Sequence, residues 1–118
     1  PLIIHSPAHI KPARVDAIAS QIDIGPTLLA LLNVSYTSRF FGQDIMTEGQ
    51  HHQRAMMANY LTVGHVENGV MVELSPKRRS RILDDKGRLL PADDPRAQAS
   101  LLETIAQFQV ASDVLKRP

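Results

Sequence analysis

The chain has 118 residues, a formal net charge of +1, 21% charged and 4% aromatic residues, and no cysteine. This length holds one modest core at most. The near-neutral charge and scarce aromatics exclude the electrostatic field and stacking platforms of a nucleic-acid binder, and the lack of cysteine excludes a disulfide framework and thiolate metal sites.

No apolar run in these residues approaches the length of about 18 residues needed for a membrane span, and none is expected to act as a signal peptide. Residues 1–7 open on Pro-Leu-Ile-Ile, an apolar run with β character only where neighbouring strands cover it. It predicts a buried initial strand and a chain that begins in mid-domain. Residues 8–14, with Pro12 and the basic or imidazole side chains of His9, Lys11 and Arg14, predict an exposed loop. Residues 15–22 alternate only in part and read as irregular chain or a short strand.

A helix is expected over about 24–33. Pro26 gives up only an amide that the first turn leaves unpaired, Leu28, Leu29, Leu31 and Leu32 recur at helical spacing, and Asn33 can take the left-handed conformation that ends a helix. Residues 34–53 carry turn signals, including Gly42, Gly49 and a polar run through His51 and His52, with Phe40, Phe41, Ile45 and Met46 expected to pin the segment to a core. From Arg54 the period moves towards two. Asn68-Gly69 is a strong type I′ hairpin signal, which sets His65 opposite Val72 and Val63 opposite Leu74 on one face, with Val66 and Met71 on the other. A further strand over about 78–83 follows a turn at Ser75-Pro76-Lys77, and residues 84–87 make another turn. The last element is a helix over 95–116, capped by Asp94 and opened by Pro95, with Ala97, Leu101, Ile105, Phe108 and Leu115 on one apolar face and Lys116 and Arg117 at its C-terminal end.

The candidate chemistry is sparse. His51 and His52 cannot easily aim two imidazoles at one ion, and no third ligand stands at zinc-like spacing. His5 and His65 read as ordinary hydrogen-bonded histidines. Asp23 is either a metal ligand or general base, or a cap that accepts backbone amides at the helix start; the cap is the reading adopted, and asparagine should then replace it. Ser20 and Thr27 lack a histidine and carboxylate at activating spacing. Lys77, Arg78, Arg79 and Arg81 form the one charge cluster, either a solvated strand edge that discourages edge-to-edge pairing or a contact for anionic lipid headgroups.

Residues 1–4 (Pro-Leu-Ile-Ile), 20–29 (Ser-Gln-Ile-Asp-Ile-Gly-Pro-Thr-Leu-Leu), 40–44 (Phe-Phe-Gly-Gln-Asp), 58–60 (Ala-Asn-Tyr) and 111–115 (Ala-Ser-Asp-Val-Leu) together resemble, in kind and order, the closing part of the sulfatase/alkaline-phosphatase superfamily catalytic domain. They look most like its lipoteichoic-acid-synthase-like branch. The resemblance implies an α+β fragment of an α/β alkaline-phosphatase-like domain: initial strand, short helix, antiparallel meander and C-terminal helix. Residues 1–53 would end the α/β core and residues 54–118 would form a terminal subdomain. It also implies that the threonine, serine or formylglycine nucleophile and the ligands of a divalent cation (Mn²⁺, Mg²⁺ or Zn²⁺) lie upstream, because no Asp-His-Gly motif occurs here. No catalytic, cofactor-binding or metal-binding residue is therefore assigned, and the fragment alone should be inactive. By the same resemblance the whole protein is a phosphoglycerol transferase of the bacterial inner membrane with its domain in the periplasm. Its partners would be the upstream catalytic core, a phospholipid or a sulfate or phosphate ester, and a membrane surface, with no nucleic acid. The rivals are a sulfatase, a phosphoethanolamine transferase, or a self-standing binding or oligomerisation module.

Overall fold

A computed structural model of the chain describes residues 2–39, 41–47 and 52–116. Its elements are a 3₁₀ turn at Gln21–Asp23, helix α1 (Ile24–Leu31), strands β1 (Arg54–Ala58), β2 (Val63–Glu67), β3 (Val70–Ser75) and β4 (Arg79–Asp84), and helix α2 (Pro95–Lys116). The strands form one antiparallel sheet in the order β1-β2-β3-β4, and α2 lies across it, mainly on β3. The class is α+β, with an antiparallel meander and a C-terminal helix as expected.

The hairpin chemistry sets the register. Asn68 (φ 51°) and Gly69 (φ 73°) occupy the left-handed region that a type I′ turn requires. Glu67 then pairs with Val70, Val66 with Met71, His65 with Val72 and Val63 with Leu74. The face formed by Met56, His65, Val72 and Ile82 turns towards α2. Val70, Val72, Leu83 and Ala97 make the buried apolar core.

Helix α1 ends as a Schellman motif. Asn33 has φ 54°, its amide donates to Ala30 O (2.9 Å), and the Val34 amide donates to Leu29 O (3.0 Å). Helix α2 is entered through Asp94, whose Oδ1 accepts the Arg96 amide at 2.8 Å. The contact face of α2 departs from the expected one. Ala97 and Thr104 are buried and Leu101 and Phe108 half-buried, whereas Ile105 is 43% and Leu115 86% exposed. A step of 3.6 residues carries the stripe through 97, 101, 104 and 108, so the polar Thr104 belongs to it and Ile105 lies at its margin.

The initial strand is corrected. Residues 2–6 are irregular, Leu2 is 51% and Ile3 84% exposed, and His5 is exposed and not in a strand. An apolar run becomes a buried strand only beside pairing partners, and the sheet supplies none there. Residues 10–19 are irregular too, and the Ile18 amide donates to Gln53 Oε1 at 2.8 Å. The segment after α1 is held by polar bonds to a greater degree than by apolar pins: Phe41 is 38% and Met46 37% exposed. Pro1, Phe40, Gly49, His51 and Arg117 lie outside the described residues.

Candidate functional site

The first polar centre is built around Asp23, which is 1% exposed. Its Oδ2 accepts the Ser20 amide (2.8 Å) and the Ser20 hydroxyl (3.1 Å), and its Oδ1 accepts the Gln43 amide (2.9 Å). Three donors thus satisfy a buried carboxylate that would otherwise be costly. The cap reading is corrected in its targets. Asp23 makes no side-chain bond to the start of α1; it reaches back to Ser20, as the third residue of a capping box does, and across to the segment after the helix.

Thr27, also 1% exposed, completes this clasp. Its hydroxyl donates to Asp23 O at 2.6 Å and accepts the Ile45 amide at 3.3 Å. The close approach of the two segments explains Gly42: a Cβ there would stand 1.9 Å from Ile22 O. The hydroxyl protons of Ser20 and Thr27 are both engaged, so neither is poised as a nucleophile.

The second centre lies between the sheet and α2. His65 is 1% exposed, and its Nδ1 stands 3.3 Å from Thr104 Oγ1. Because the Thr104 hydroxyl gives its single proton to Ser100 O at 2.7 Å, it can only accept from His65, which assigns the proton to Nδ1 and leaves Nε2 as an acceptor. That nitrogen faces Glu67 Oε2 at 3.7 Å. Burial pushes Glu67 up from its ordinary value, reinforced by the Glu103 carboxylate, and burial pushes His65 down, opposed by the Glu103 carboxylate and aided by Arg54. His52, exposed, reaches the other oxygen of Glu67 at 3.9 Å.

Arg54 Nη1, His65 Nε2, Glu67 Oε2 and Gln107 Oε1 are buried with no protein hydrogen-bond partner. Arg54 and Glu67 face each other across β1 and β2, and Arg54 and Gln107 line a shallow groove of about 270 Å³ with Phe41, Met56, Ala106 and Val110. At 3.7 Å Glu67 Oε2 and His65 Nε2 are too far apart for a direct hydrogen bond, and the residues of this seam include no nucleophile. Sequence reading reached His65 and missed Arg54, Glu67, Thr104 and Gln107. The usable signal was the period-two register, which places residues 54, 65 and 67 on one face.

The remaining candidates are dispersed. Among the described residues no group of three or more His, Asp or Glu side chains is placed to hold a metal ion. Lys77, Arg78, Arg79 and Arg81 are exposed, and Arg81 pairs with Glu73 at 3.1 Å.

Residues 20–29 and 41–45 are therefore joined in one clasped unit. The chain is similar to a solved protein in the alkaline phosphatase superfamily from Vibrio parahaemolyticus, with 27% identity and a TM-score of 0.62 over 86% of this chain. The similarity supports the alkaline phosphatase superfamily. The chain spans 27% of the length of that solved protein. No family model and no curated protein matches the chain. Within the superfamily likeness, the Asp23 clasp is a means of joining segments, and no residue described above is assigned to catalysis.

Proposed function

We propose that this chain is the C-terminal portion of a bacterial cell-envelope enzyme of the sulfatase family, a phosphoglycerol transferase of the lipoteichoic-acid-synthase-like kind. Its nucleophile and divalent cation would lie upstream, and its domain would face the periplasm from the inner membrane. The observation that carries this reading is the likeness to an alkaline phosphatase superfamily protein over 86% of the chain. It is supported by the distribution of exposed apolar side chains. Ile3, Leu32, Val34 and Tyr36 are 84%, 70%, 47% and 44% exposed in the first part of the chain, an arrangement suited to packing against a larger body.

In this role the chain supplies structure around a site built elsewhere. A divalent ion bound upstream would activate the nucleophile and stabilise the transferring oxygens; the residues here would hold α1 and the segment after it in place. The test is to purify the longer protein from membranes and follow transfer of phosphoglycerol from phosphatidylglycerol, with phosphoethanolamine transfer and aryl-sulfate hydrolysis as controls. Phosphoglycerol transfer lost on chelation is the expected result. Aryl-sulfate turnover or phosphoethanolamine transfer alone would reassign the enzyme within the superfamily, and no ester chemistry at all would favour a binding module.

A further inference from the structure

We propose that the end of the sheet carrying the β1–β2 and β3–β4 turns is a docking tip for an anionic lipid surface. The meander brings residues 59–62 and 76–78 to the same end of the sheet. The two turns adjoin, since Thr62 Oγ1 and Ser75 Oγ are 3.3 Å apart.

The first turn presents apolar and aromatic surface. Tyr60 is 102% and Leu61 69% exposed. The turn that carries them is closed by hydrogen bonds: Asn59 Oδ1 accepts the Leu61 and Thr62 amides at 2.9 and 2.8 Å, and the Asn59 amide donates to Thr62 O at 2.9 Å. A tyrosine beside an aliphatic side chain is the composition favoured where headgroups meet acyl chains.

The second turn presents charge. Lys77 (φ 62°) and Arg78 (φ 56°) both occupy the left-handed region, where glycine or asparagine would be the ordinary residue. Two long basic side chains thus stand at backbone positions that disfavour them, followed by Arg79 on the edge strand. All three are exposed and form no ion pair among the described residues, whereas neighbouring Arg81 is paired with Glu73. Residues 59–62 and 75–81 contain no acidic side chain. An anionic headgroup layer complements the cations while Tyr60 and Leu61 enter the interface. Nothing in this tip depends on which ester the whole enzyme processes.

The experiment is co-sedimentation of the chain with phosphatidylcholine vesicles containing phosphatidylglycerol, and with phosphatidylcholine vesicles alone. Binding should require phosphatidylglycerol and weaken as salt is raised. The variant Lys77→Asn/Arg78→Gly/Arg79→Gln keeps the turn, because Asn-Gly suits its backbone; circular dichroism should be unchanged while partitioning falls about a hundred-fold. Tyr60→Ser/Leu61→Ser should lower it about ten-fold. Binding that is indifferent to phosphatidylglycerol, or that survives the triple substitution, would overturn the proposal. So would failure to bind vesicles together with retention of a single-stranded oligonucleotide through the same residues, which would make the tip a nucleic-acid contact.

Discussion

At the scale of single residues, the carboxylate of Asp23 needs both of its oxygens. Ser20 and Gln43 donate backbone amides to opposite oxygens, and asparagine offers one acceptor and one donor. Asp23→Asn should therefore leave a buried amide facing an NH₂ group and cost about 1–3 kcal/mol, contrary to the interchange a simple cap would allow; Asp23→Ala should cost at least as much. Urea melts of the two variants check this, and an unchanged midpoint for the asparagine variant would restore the cap. Gly42→Ala is expected to cost about 1–3 kcal/mol by pushing apart Ile22 and the segment after α1, seen as a lower Tm. His65 sets a pH dependence. Its folded pKa lies below the ordinary 6.5, so its contribution is complete above about pH 6.5 and erodes as pH falls towards the lowered value, because the unfolded chain takes the proton first. Glu67 works in the opposite sense: its pKa is raised above 4.5, so stability is lost as pH rises from there through the folded value. Stability against pH for the parent chain and for His65→Gln should diverge below pH 6.5, with the parent falling more steeply.

At the scale of elements, α2 tests which side chains hold it to the sheet. Leu101→Ala and Phe108→Ala should each cost about 2–5 kcal/mol. Ile105→Ala and Leu115→Ala, at 43% and 86% exposure, should lie within about 0.5 kcal/mol of the parent. Chemical denaturation of the four variants separates the stripe through 97, 101, 104 and 108 from one that runs through 105 and 115. The hairpin around Asn68 and Gly69 shows the reverse case, in which a local signal was sufficient: the dipeptide sets the turn, the turn sets the register, and the register puts His65 under α2. The same alternation places Arg54 and Glu67 beside it, which makes the polar seam a consequence of sheet geometry.

At the scale of the whole molecule, the radius of gyration is 16.4 Å, against about 13.5 Å for a compact domain of this length. The excess belongs with the thinly packed first segment, where the 3₁₀ turn at Gln21–Asp23 and α1 contact each other but have few contacts with the sheet. A body of this kind, whose Ser20 and Thr27 hydroxyls are both engaged, should not turn over an aryl phosphate or aryl sulfate with any divalent cation. Turnover by the pure chain, abolished by chelator and by one substitution within it, would reverse that expectation.

Local chemistry sufficed wherever a residue's own backbone preference decides the outcome. Asn33 ends α1, Asn68-Gly69 makes the hairpin, and Asp94-Pro95 opens α2, because positive φ and N-terminal capping are properties of one or two residues and their neighbours. The initial strand failed for the opposite reason: the Leu2 and Ile3 side chains allow a strand, but a strand exists only with a partner, and partners are a property of the tertiary arrangement. The same holds for Asp23, whose second oxygen is claimed by Gln43 from 20 residues away, and for Thr104, whose hydroxyl is buried because His65 from β2 stands opposite it. The motifs and their order carried the superfamily likeness; the sequence by itself could not pair donors with acceptors across the fold, since those pairings depend on which segments approach one another.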